Sequence, residues 1–333
     1  MKLSVVVPTF ERHEKLEACI VSLASQEDAA AIGDVVIADD GSQDDTIAWL
    51  EAASRCDWPF ELRIVRLRHR GPAAARNAGV RAAANECVAF TGDDCVLAPG
   101  WAKAHLLEHA ANPGRSVLGH TTWLPSLAVS PFMHYQENGG SQFAYGRIAD
   151  RDDASWRFYY TTNISTPKHL LLEHPFEERF PAARYEDMEL GWRLEQAGHS
   201  ISYRPEALAW HDHPITFESF RTRCPEYGEY AVLFHQLHPQ DEELAGALGI
   251  RDAEACEQVF LPGIDAAERI VTDLESAIDA EKSAPAAFGV RGANELLRGA
   301  YRLLIHHALV GGIRKGLSLP ASEPVTGSET GER

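Results

Sequence analysis

The sequence lacks the features that mark membrane-spanning, secreted and zinc-binding proteins. No run of about 18 apolar residues occurs among its 333 residues, and the opening MKLSVVVPT has no apolar stretch of signal-peptide length. No CxxC pair or zinc-ligand spacing is formed by the six cysteines, which are Cys19, Cys56, Cys87, Cys95, Cys224 and Cys256. We therefore expect reduced thiols, no transmembrane segment and a cytoplasmic location.

Positive charge is also scarce. The chain has 31 lysines and arginines against 49 aspartates and glutamates, which gives a formal net charge of −18 at pH 7. Nucleic-acid binders usually carry a basic stripe, and anionic membranes attract polybasic segments. The composition therefore argues against nucleic acid and against an anionic lipid surface as partners. Hydrophobic residues make up 45% of the chain, which is enough for a sizeable buried core.

Short apolar runs alternate with helical periodicity in the first hundred residues. The runs predict strands over 3–7, 35–38, 62–67 and 88–90. The segments between them have helical spacing, and Ser42 with Asp45 predicts a capping box for one helix. This alternation of strand and helix predicts an α/β fold with a mostly parallel sheet flanked by helices.

Polar or acidic residues follow three of the four predicted strands, where ligands bind in parallel sheets. They are Pro8-Thr9, Asp39-Asp40 and Asp93-Asp94. Two adjacent carboxylates after an apolar strand are costly unless a positive group binds them. A divalent cation that also holds a diphosphate is a natural partner, because Mg²⁺ and Mn²⁺ favour oxygen ligands. A turn or a helix cap is the structural alternative for the two acidic motifs.

The second half of the chain adds two candidate motifs and a helical region. Glu186-Asp187 lie at a predicted helix N-terminus, where carboxylates either cap the helix or serve as a general base. A predicted strand over 201–210 leads to His211 and His213, of which one is a candidate metal ligand. We expect an α/β domain over 1–213, a helical region over 214–319 and a disordered tail over 320–333.

Taken in order, eight segments resemble the inverting family 2 glycosyltransferases of the GT-A fold. The segments are SVVVPTFER at 4–12, VVIADDGSQDDT at 35–46, GPAAARNAGVRAA at 71–83, FTGDDCVLAPGW at 90–101, NISTPK at 163–168, FEERF at 176–180, YEDMELGWRLEQAG at 185–198 and YRPEALAWH at 203–211. The resemblance covers roughly residues 1–213. The chain departs from the family at Gly92, where a third acidic residue is common, and at His174-Pro175, where a glycine commonly precedes Phe176.

The resemblance implies a GT-A fold, which is Rossmann-like, with a C-terminal helical extension. It implies contacts to the nucleotide, with Phe10 near the base, by Pro8, Phe10, Glu11, Asp39, Asp40, Arg76 and Asp93. Asp94 and His211 would bind Mn²⁺ or Mg²⁺ at a DXD-type motif, and Asp187, beside Glu186, would be the general base. The implied reaction moves a sugar from a nucleotide-sugar, by default a UDP-sugar, to a hydroxyl of a glycan, lipid-linked or small-molecule acceptor, with inversion.

Three other readings of the sequence compete with this one. A nucleotidyltransferase needs a glycine-rich, basic phosphate loop after its first strand, and PTFERHEK is not one. A non-catalytic nucleotide-sugar binding module would lack the metal or base carboxylates, whereas Asp93, Asp94 and Asp187 are all present. A retaining GT-A transferase stays open, because the distinction depends on where Asp187 lies. The sequence also leaves open a homo-oligomer.

Overall fold

The computed structural model describes residues 1–28, 30–138, 140, 142–251, 253, 261–281 and 291–319. The tail predicted over 320–333 and Cys256 lie outside these residues. No disulfide joins the cysteines that fall within them. Among the helices in these ranges, none combines the length and the apolarity that crossing a bilayer requires.

The chain divides into two compact units. The first consists of Met1–Leu127 and Phe143–His213, and the second of Ala128–Gln142 and Pro214–Arg333. All the candidate site residues named above lie in the first unit.

The first unit is built on one mixed sheet of eight strands in the order β3-β2-β1-β4-β7-β6-β8-β5. The strands are β1 Leu3–Thr9, β2 Ile32–Asp39, β3 Glu61–Arg66, β4 Cys87–Thr91, β5 Cys95–Leu97, β6 Ser116–Trp123, β7 Asn163–Pro167 and β8 Ile201–His211. Strands β1 to β4 pair in parallel, while β7 runs antiparallel to both β4 and β6. The predicted α/β fold with a mostly parallel central sheet is confirmed.

Helices connect the strands and form the second unit. They are α1 His13–Ala24, α2 Thr46–Ala53, α3 Pro72–Ala82, α4 Trp101–Ala111, α5 Pro131–Glu137, α6 Lys168–Glu173, α7 Glu186–Gln196, α8 Phe217–Leu237, α9 Glu242–Ala247, α10 Ile264–Glu281 and α11 Arg291–Ser318. The predicted capping box of Ser42 and Asp45 is wrong. Helix α2 begins after Asp45 without a side-chain cap, because the Ser42 hydroxyl instead donates to Asp39 Oδ1 at 2.5 Å.

The ends of three strands meet at one edge of the sheet. The β1–β2 register sets Thr9 opposite Asp39, and the Asp40 N–H donates to the Thr9 carbonyl at 2.9 Å. Strand β4 lies on the other side of β1 and leads into Asp93-Asp94. The short strand β5 then pairs antiparallel with β8 so that Cys95 faces His211.

Backbone-to-backbone contact between α8 and α11 characterises the second unit. A Cβ placed on Gly312 would lie 1.9 Å from the Pro225 carbonyl oxygen, and one on Gly228 would lie 2.2 Å from that of Leu309. Only glycine permits so close an approach. Lys315 and the buried Glu229 form an ion pair at 2.8 Å between the same two helices.

Candidate active site

Asp93 and Asp94 follow β4 as a buried pair of carboxylates, 6% and 9% exposed. The Thr9 hydroxyl donates to Asp93 Oδ2 at 2.8 Å. One guanidinium nitrogen of Arg12, Nη1, lies 3.1 Å from Asp94 Oδ2 and 3.4 Å from Asp93 Oδ1. The two acids are thus held by the end of β1 and the start of α1.

Two histidines after β8 approach Asp94 from another direction. His211 Nε2 lies 3.2 Å from Asp94 Oδ1, and His213 Nδ1 lies 3.4 Å from Asp94 Oδ2. Burial opposes ionisation of Asp94, but the charge and hydrogen bond of His211, the hydrogen bond of His213 and the charge of Arg12 hold its pKa well below its usual range. Burial and the adjacent Asp94 charge raise the pKa of Asp93 to about 6, against the opposing charge of Arg12.

The donor atoms of this cluster fit a divalent cation. Two ligands in neighbouring positions of an octahedral ion with bonds of about 2.1 Å lie about 3.0 Å apart, close to the 3.2 Å between Asp94 Oδ1 and His211 Nε2. Carboxylate and imidazole together suit Mn²⁺. The thiol of Cys95 lies in the same cluster, but burial and the Asp94 charge raise its pKa well above its usual value. Cys95 is also the least suitable of the three ligands for Mn²⁺ or Mg²⁺, because thiolates are soft ligands and these ions favour oxygen.

Aromatic rings fix the imidazole of His211. The Trp123 ring stacks on it with centroids 5.8 Å apart, and the Phe143 ring meets it edge-on at 5.5 Å. Phe143 has a φ of +57°, which is uncommon for a bulky residue. Such strained residues persist where the surrounding structure holds them and cluster at functional sites.

The neighbouring carboxylates Glu186 and Asp187 differ in their partners. Glu186 is 1% exposed, receives Arg76 Nη1 at 2.6 Å and accepts the Arg184 N–H at 2.7 Å. Asp187 is half-buried and accepts the Met188 N–H at 2.8 Å. Its second oxygen has only long contacts, at 3.4 and 3.5 Å, to the N–H and hydroxyl of Thr161. Of the two, Asp187 has the carboxylate oxygen that can still receive a proton.

The electrostatics of Asp187 suit a general base. Burial and the neighbouring charge of Glu186 raise its pKa to about 7, while the charge of Arg76 and the Met188 N–H act in the opposite direction. A base with a pKa near the working pH combines an adequate ionised fraction with a strong tendency to take a proton. Perturbed carboxylates of this kind are typical of catalytic sites.

Asp187 and the Asp94 cluster both contact one short segment, 161–162. The Thr161 N–H and hydroxyl face Asp187, as described above. The Thr162 carbonyl lies 4.0 Å from the sulfur of Cys95, the residue after Asp94. The candidate base and the candidate metal ligands are thus neighbours across two residues of chain.

The loops after β1, β2 and β3 are tied together by Asp39 and Asp40. Asp40 accepts the backbone N–H of Arg70 at 2.7 Å and that of Gly71 at 2.9 Å. Asp39 holds the hydroxyl of Ser42, which in turn accepts the N–H of Glu11 at 2.8 Å. These contacts fix a rigid polar edge at the ends of the parallel strands.

An aromatic pair lies at this polar edge. The rings of Phe10 and His69 are 4.4 Å apart, the Phe10 residue is 37% exposed and the His69 side chain is 65% exposed. His69 has a φ of +41°, and Glu11, which follows Phe10, has a φ of +53°. On both loops, a residue other than glycine thus adopts the left-handed backbone conformation that normally favours glycine.

Comparison with known proteins identifies the family of the chain. The family model described as Glycosyl transferase family 2 matches residues 4–180. The chain belongs to glycosyltransferase family 2. It is a transferase acting on nucleotide sugars.

Two curated relatives are also transferases. The chain is 23% identical to an uncharacterized glycosyltransferase, YfnE, of Bacillus subtilis (strain 168) over 85% of its own length and 80% of that protein's. It is 29% identical to the validoxylamine A glucosyltransferase of Streptomyces hygroscopicus subsp. limoneus over 68% of its length and 56% of that protein's. The chain therefore spans little more than half of the second relative.

Solved structures share the fold of this family 2 glycosyltransferase. The mannosyltransferase PcManGT from Pyrobaculum calidifontis, in complex with GDP-Man and Mn²⁺, superposes with a TM-score of 0.62 at 19% identity, over 95% of this chain and 87% of that one. S. aureus TarS 1–349 in complex with UDP gives a TM-score of 0.52 at 19% identity, over 95% and 92%. The predicted GT-A fold is confirmed by these likenesses.

The structure groups the residues that the sequence selects in this glycosyltransferase. One group is the cluster of Asp93, Asp94 and His211 after β4 and β8. A second is the polar edge formed by Phe10, Glu11, Asp39 and Asp40, beside Pro8, which pairs with Ala38 within the sheet. The third is the buried arrangement of Arg76, Glu186 and Asp187.

Arg76 is buried and paired with another side chain in the transferase. Its guanidinium pairs with Glu186 and lies 5.6 Å above the Phe176 ring, and the residue is 7% exposed. A contact from Arg76 to the nucleotide stays a prediction. The structure gives the arginine a different, observed role, which is to neutralise Glu186 beside Asp187.

Sequence reasoning did not select Arg12, His69 or Thr161 of this glycosyltransferase site, and it gave Ser42 the role of a helix cap. Arg12 directly follows the selected Phe10 and Glu11, so its position after β1 was the available signal. The roles of Ser42 and Thr161 depend on contacts to Glu11 and Asp187 that no local pattern encodes.

Proposed function

We propose that this chain is an inverting, metal-assisted transferase that moves a sugar from a nucleoside diphosphate sugar to a hydroxyl acceptor. The observation that carries the proposal is that Asp187 contacts Thr161 and that Cys95, next to Asp94 in the Asp94–His211 cluster, contacts Thr162. A base and a diphosphate-holding site linked through two consecutive residues are in position to act on opposite faces of one anomeric carbon. We propose residues 1–213 as the catalytic domain and a glycan, lipid-linked or small-molecule hydroxyl as the acceptor.

The donor nucleotide is assigned to the polar edge. The exposed rings of Phe10 and His69 offer a stacking surface for a base, and Asp40 is fixed by two backbone N–H groups while its oxygens keep further acceptor capacity. UDP is the default nucleotide by resemblance, and TarS with bound UDP has the same fold. The GDP-Man complex of the Pyrobaculum enzyme supports GDP as the alternative.

Asp94 and His211 would hold the divalent metal, with Asp93 beside them. A bound Mn²⁺ or Mg²⁺ would supply positive charge at the departing diphosphate. The Mn²⁺ in the Pyrobaculum mannosyltransferase supports this choice of ion. Thr9 and the aromatic pair Trp123 and Phe143 hold Asp93 and His211 in place before any ligand arrives.

Proton removal is assigned to Asp187. The carboxylate oxygen that has only long contacts to Thr161 takes the proton of the acceptor hydroxyl, while the hydroxyl oxygen bonds to the anomeric carbon. The bond from the anomeric carbon to the diphosphate oxygen breaks in the same displacement, so the configuration inverts. Glu186 and Arg76 act as positioning residues, because they set the charge around Asp187 and the start of α7.

A thermal-shift screen tests the donor and metal assignments together. UDP, GDP and dTDP are each added with and without Mn²⁺, and a ligand that binds only the folded state raises the melting temperature. We expect one diphosphate to stabilise the protein further with Mn²⁺, and Asp94→Ala to remove the metal-dependent part. No shift with any diphosphate in the presence of Mn²⁺ would contradict the assigned pocket.

NMR of the freshly formed product tests the stereochemistry. We expect the product anomer opposite to that of the donor sugar. Retention of the donor configuration would contradict the role of Asp187 as a base and favour a retaining enzyme of the same fold.

Replacing Phe10 by alanine tests the stacking surface. Base–aromatic stacking contributes about 1–3 kcal/mol, and the partial exposure of Phe10 favours the lower end, so we expect nucleotide affinity to fall about fivefold to tenfold. Leu107→Ala is the matched control, since Leu107 is an exposed apolar residue, 62% exposed, on α4. Isothermal titration with UDP or GDP measures both variants, and equal affinities would remove Phe10 from the nucleotide site.

A further inference from the structure

Arg12 places a positive side chain against the two carboxylates of the candidate metal site. Its Nη1 contacts both acids, at 3.1 Å from Asp94 and 3.4 Å from Asp93. The two carboxylate side chains are 8% and 11% exposed, whereas the Arg12 side chain is 44% exposed. The arginine therefore covers the acids from the side that solvent reaches.

The loop that carries Arg12 is held in an unusual conformation. Glu11 has a φ of +53°, and its N–H donates to the Ser42 hydroxyl, which is itself bound to Asp39. Hydrogen bonds to residues at and just after the end of the neighbouring strand β2 therefore hold the turn in place. It directs the next residue, Arg12, towards the acids at the start of α1.

Charge balance explains why an arginine belongs at this position. Two adjacent buried carboxylates repel each other, and leaving them without a positive partner is costly. Arg12 offsets that repulsion, and its long, half-exposed side chain can leave by rotating about its own bonds. A divalent cation held by Asp94 Oδ1 and His211 and a guanidinium at Oδ2 of the same carboxylate repel each other, so binding of the cation disfavours the position that Arg12 occupies.

We propose that Arg12 stands in for the divalent metal, holding Asp93 and Asp94 until a cation displaces it. The released guanidinium then pairs with the donor diphosphate, for which its planar array of donors is well suited. This inference rests on the metal site of the proposed function. It makes Arg12 a competitor of the metal in the free enzyme and a link between metal and nucleotide in the loaded enzyme.

A Mn²⁺ titration of the free enzyme tests the competition. Free Mn²⁺ is followed by its electron paramagnetic resonance signal for the wild type, Arg12→Met and Lys15→Met. Lys15→Met is the matched control, because Lys15 is also about half-exposed and close by, yet it pairs with Asp212 instead of the two acids. We expect Arg12→Met to bind Mn²⁺ about tenfold more tightly. Lys15→Met should stay within about twofold, since Lys15 pairs with Asp212 and salt weakens its longer-range effect on the two acids.

Arg12→Lys provides a second variant that keeps the charge. We expect its Mn²⁺ affinity to stay within about threefold of the wild type, because the ammonium still competes for the acids. Melting curves establish that each variant is folded. If Arg12→Met fails to fold, tighter Mn²⁺ binding by Arg12→Ala, beyond that of Arg12→Lys, carries the same conclusion.

The link to the nucleotide is tested by repeating the titration with saturating UDP, or with GDP if only GDP binds. The factor by which the nucleotide raises Mn²⁺ affinity should be about fivefold larger in the wild type than in Arg12→Met. Linkage requires the same factor when Mn²⁺ is held saturating and the nucleotide is titrated.

The outcomes separate this inference from the proposed function. Equal or weaker Mn²⁺ binding by Arg12→Met, together with loss of binding in Asp94→Ala, overturns the role of Arg12 and leaves the metal site intact. Mn²⁺ binding that does not depend on Asp94 in any variant overturns the metal site itself, and with it the stand-in role.

Discussion

Asp187→Asn is expected to lower the turnover number for donor hydrolysis about a thousandfold while nucleotide affinity stays within about twofold. The asparagine keeps a carbonyl oxygen for the Met188 N–H but has no basic oxygen for the proton of the attacking hydroxyl. Water serves as the acceptor in this assay, so the test does not need the natural acceptor. The donor is a UDP- or GDP-sugar, chosen by the nucleotide that stabilises the protein.

The pH dependence of the wild type provides an independent measure of the same residue. The pKa of Asp187 is raised to about 7, and a base acts only when ionised. The kcat/KM for the donor should therefore fall tenfold for each pH unit below about 7 and level off above pH 7. In Asp187→Asn this acid limb should be absent.

Glu186→Gln is the matched control, since it changes the adjacent carboxylate on the same helix. Glutamine keeps an acceptor for the Arg184 N–H but removes the negative charge that raises the pKa of Asp187. We expect activity to be retained within about tenfold and the acid limb to move to lower pH. The assignment of the base would be reversed if Glu186→Gln lost activity as Asp187→Asn is expected to, while Asp187→Asn remained active.

Gly312→Ala is expected to destabilise the second unit by about 2–3 kcal/mol. A Cβ at this position would lie 1.9 Å from the carbonyl oxygen of Pro225, which belongs to backbone that cannot rotate away. Helices α8 and α11 must therefore move apart, and overpacking of this kind typically costs about 1–3 kcal/mol, occasionally more. The loss should exceed the gain of about 1 kcal/mol that alanine gives over glycine inside a helix.

The neighbouring glycine supplies the control for this prediction. A Cβ on Gly311 meets nothing within 4 Å, so Gly311→Ala should be neutral or slightly stabilising. Far-UV circular dichroism during urea unfolding follows helices of both units. Tryptophan fluorescence follows the first unit alone, because all seven tryptophans lie at positions 49, 58, 101, 123, 156, 192 and 210. Equal dichroism midpoints for the two variants would contradict the close contact at Gly312.

Much of the first unit was predictable because its signals are local. The apolar runs that became β1, β2 and β4 are continuous, and the positions of Asp39 and Asp93 follow from the rule that parallel strands end at one edge. Strand β5 has only three residues, which is too short for a periodic pattern, so its pairing with β8 could not be predicted. The antiparallel insertion of β7 between β4 and β6 is equally non-local.

The difference between Glu186 and Asp187 shows a similar limit. Two consecutive carboxylates at a helix start have nearly the same chemistry in sequence. The distinction arises from Arg76, on α3, which forms an ion pair with Glu186 and not with Asp187. Likewise, Ser42 has the residue type and spacing of a helix cap, but a hydroxyl binds the nearest suitable acceptor, and the fold offers Asp39.

Local unfolding of the three-residue strand β5 would disrupt the candidate metal site. It lies at the edge of the sheet, pairs with β8 alone, and begins directly after Asp94, while His211 ends β8. A short edge strand can open at a much smaller free energy than the whole sheet, and such an opening would separate Asp94 from His211 while β1 to β4 stay paired. A cation that bridges these two residues would hold β5 against β8. Ion binding would therefore slow amide hydrogen exchange at the edge, and the centre of the sheet would exchange as before.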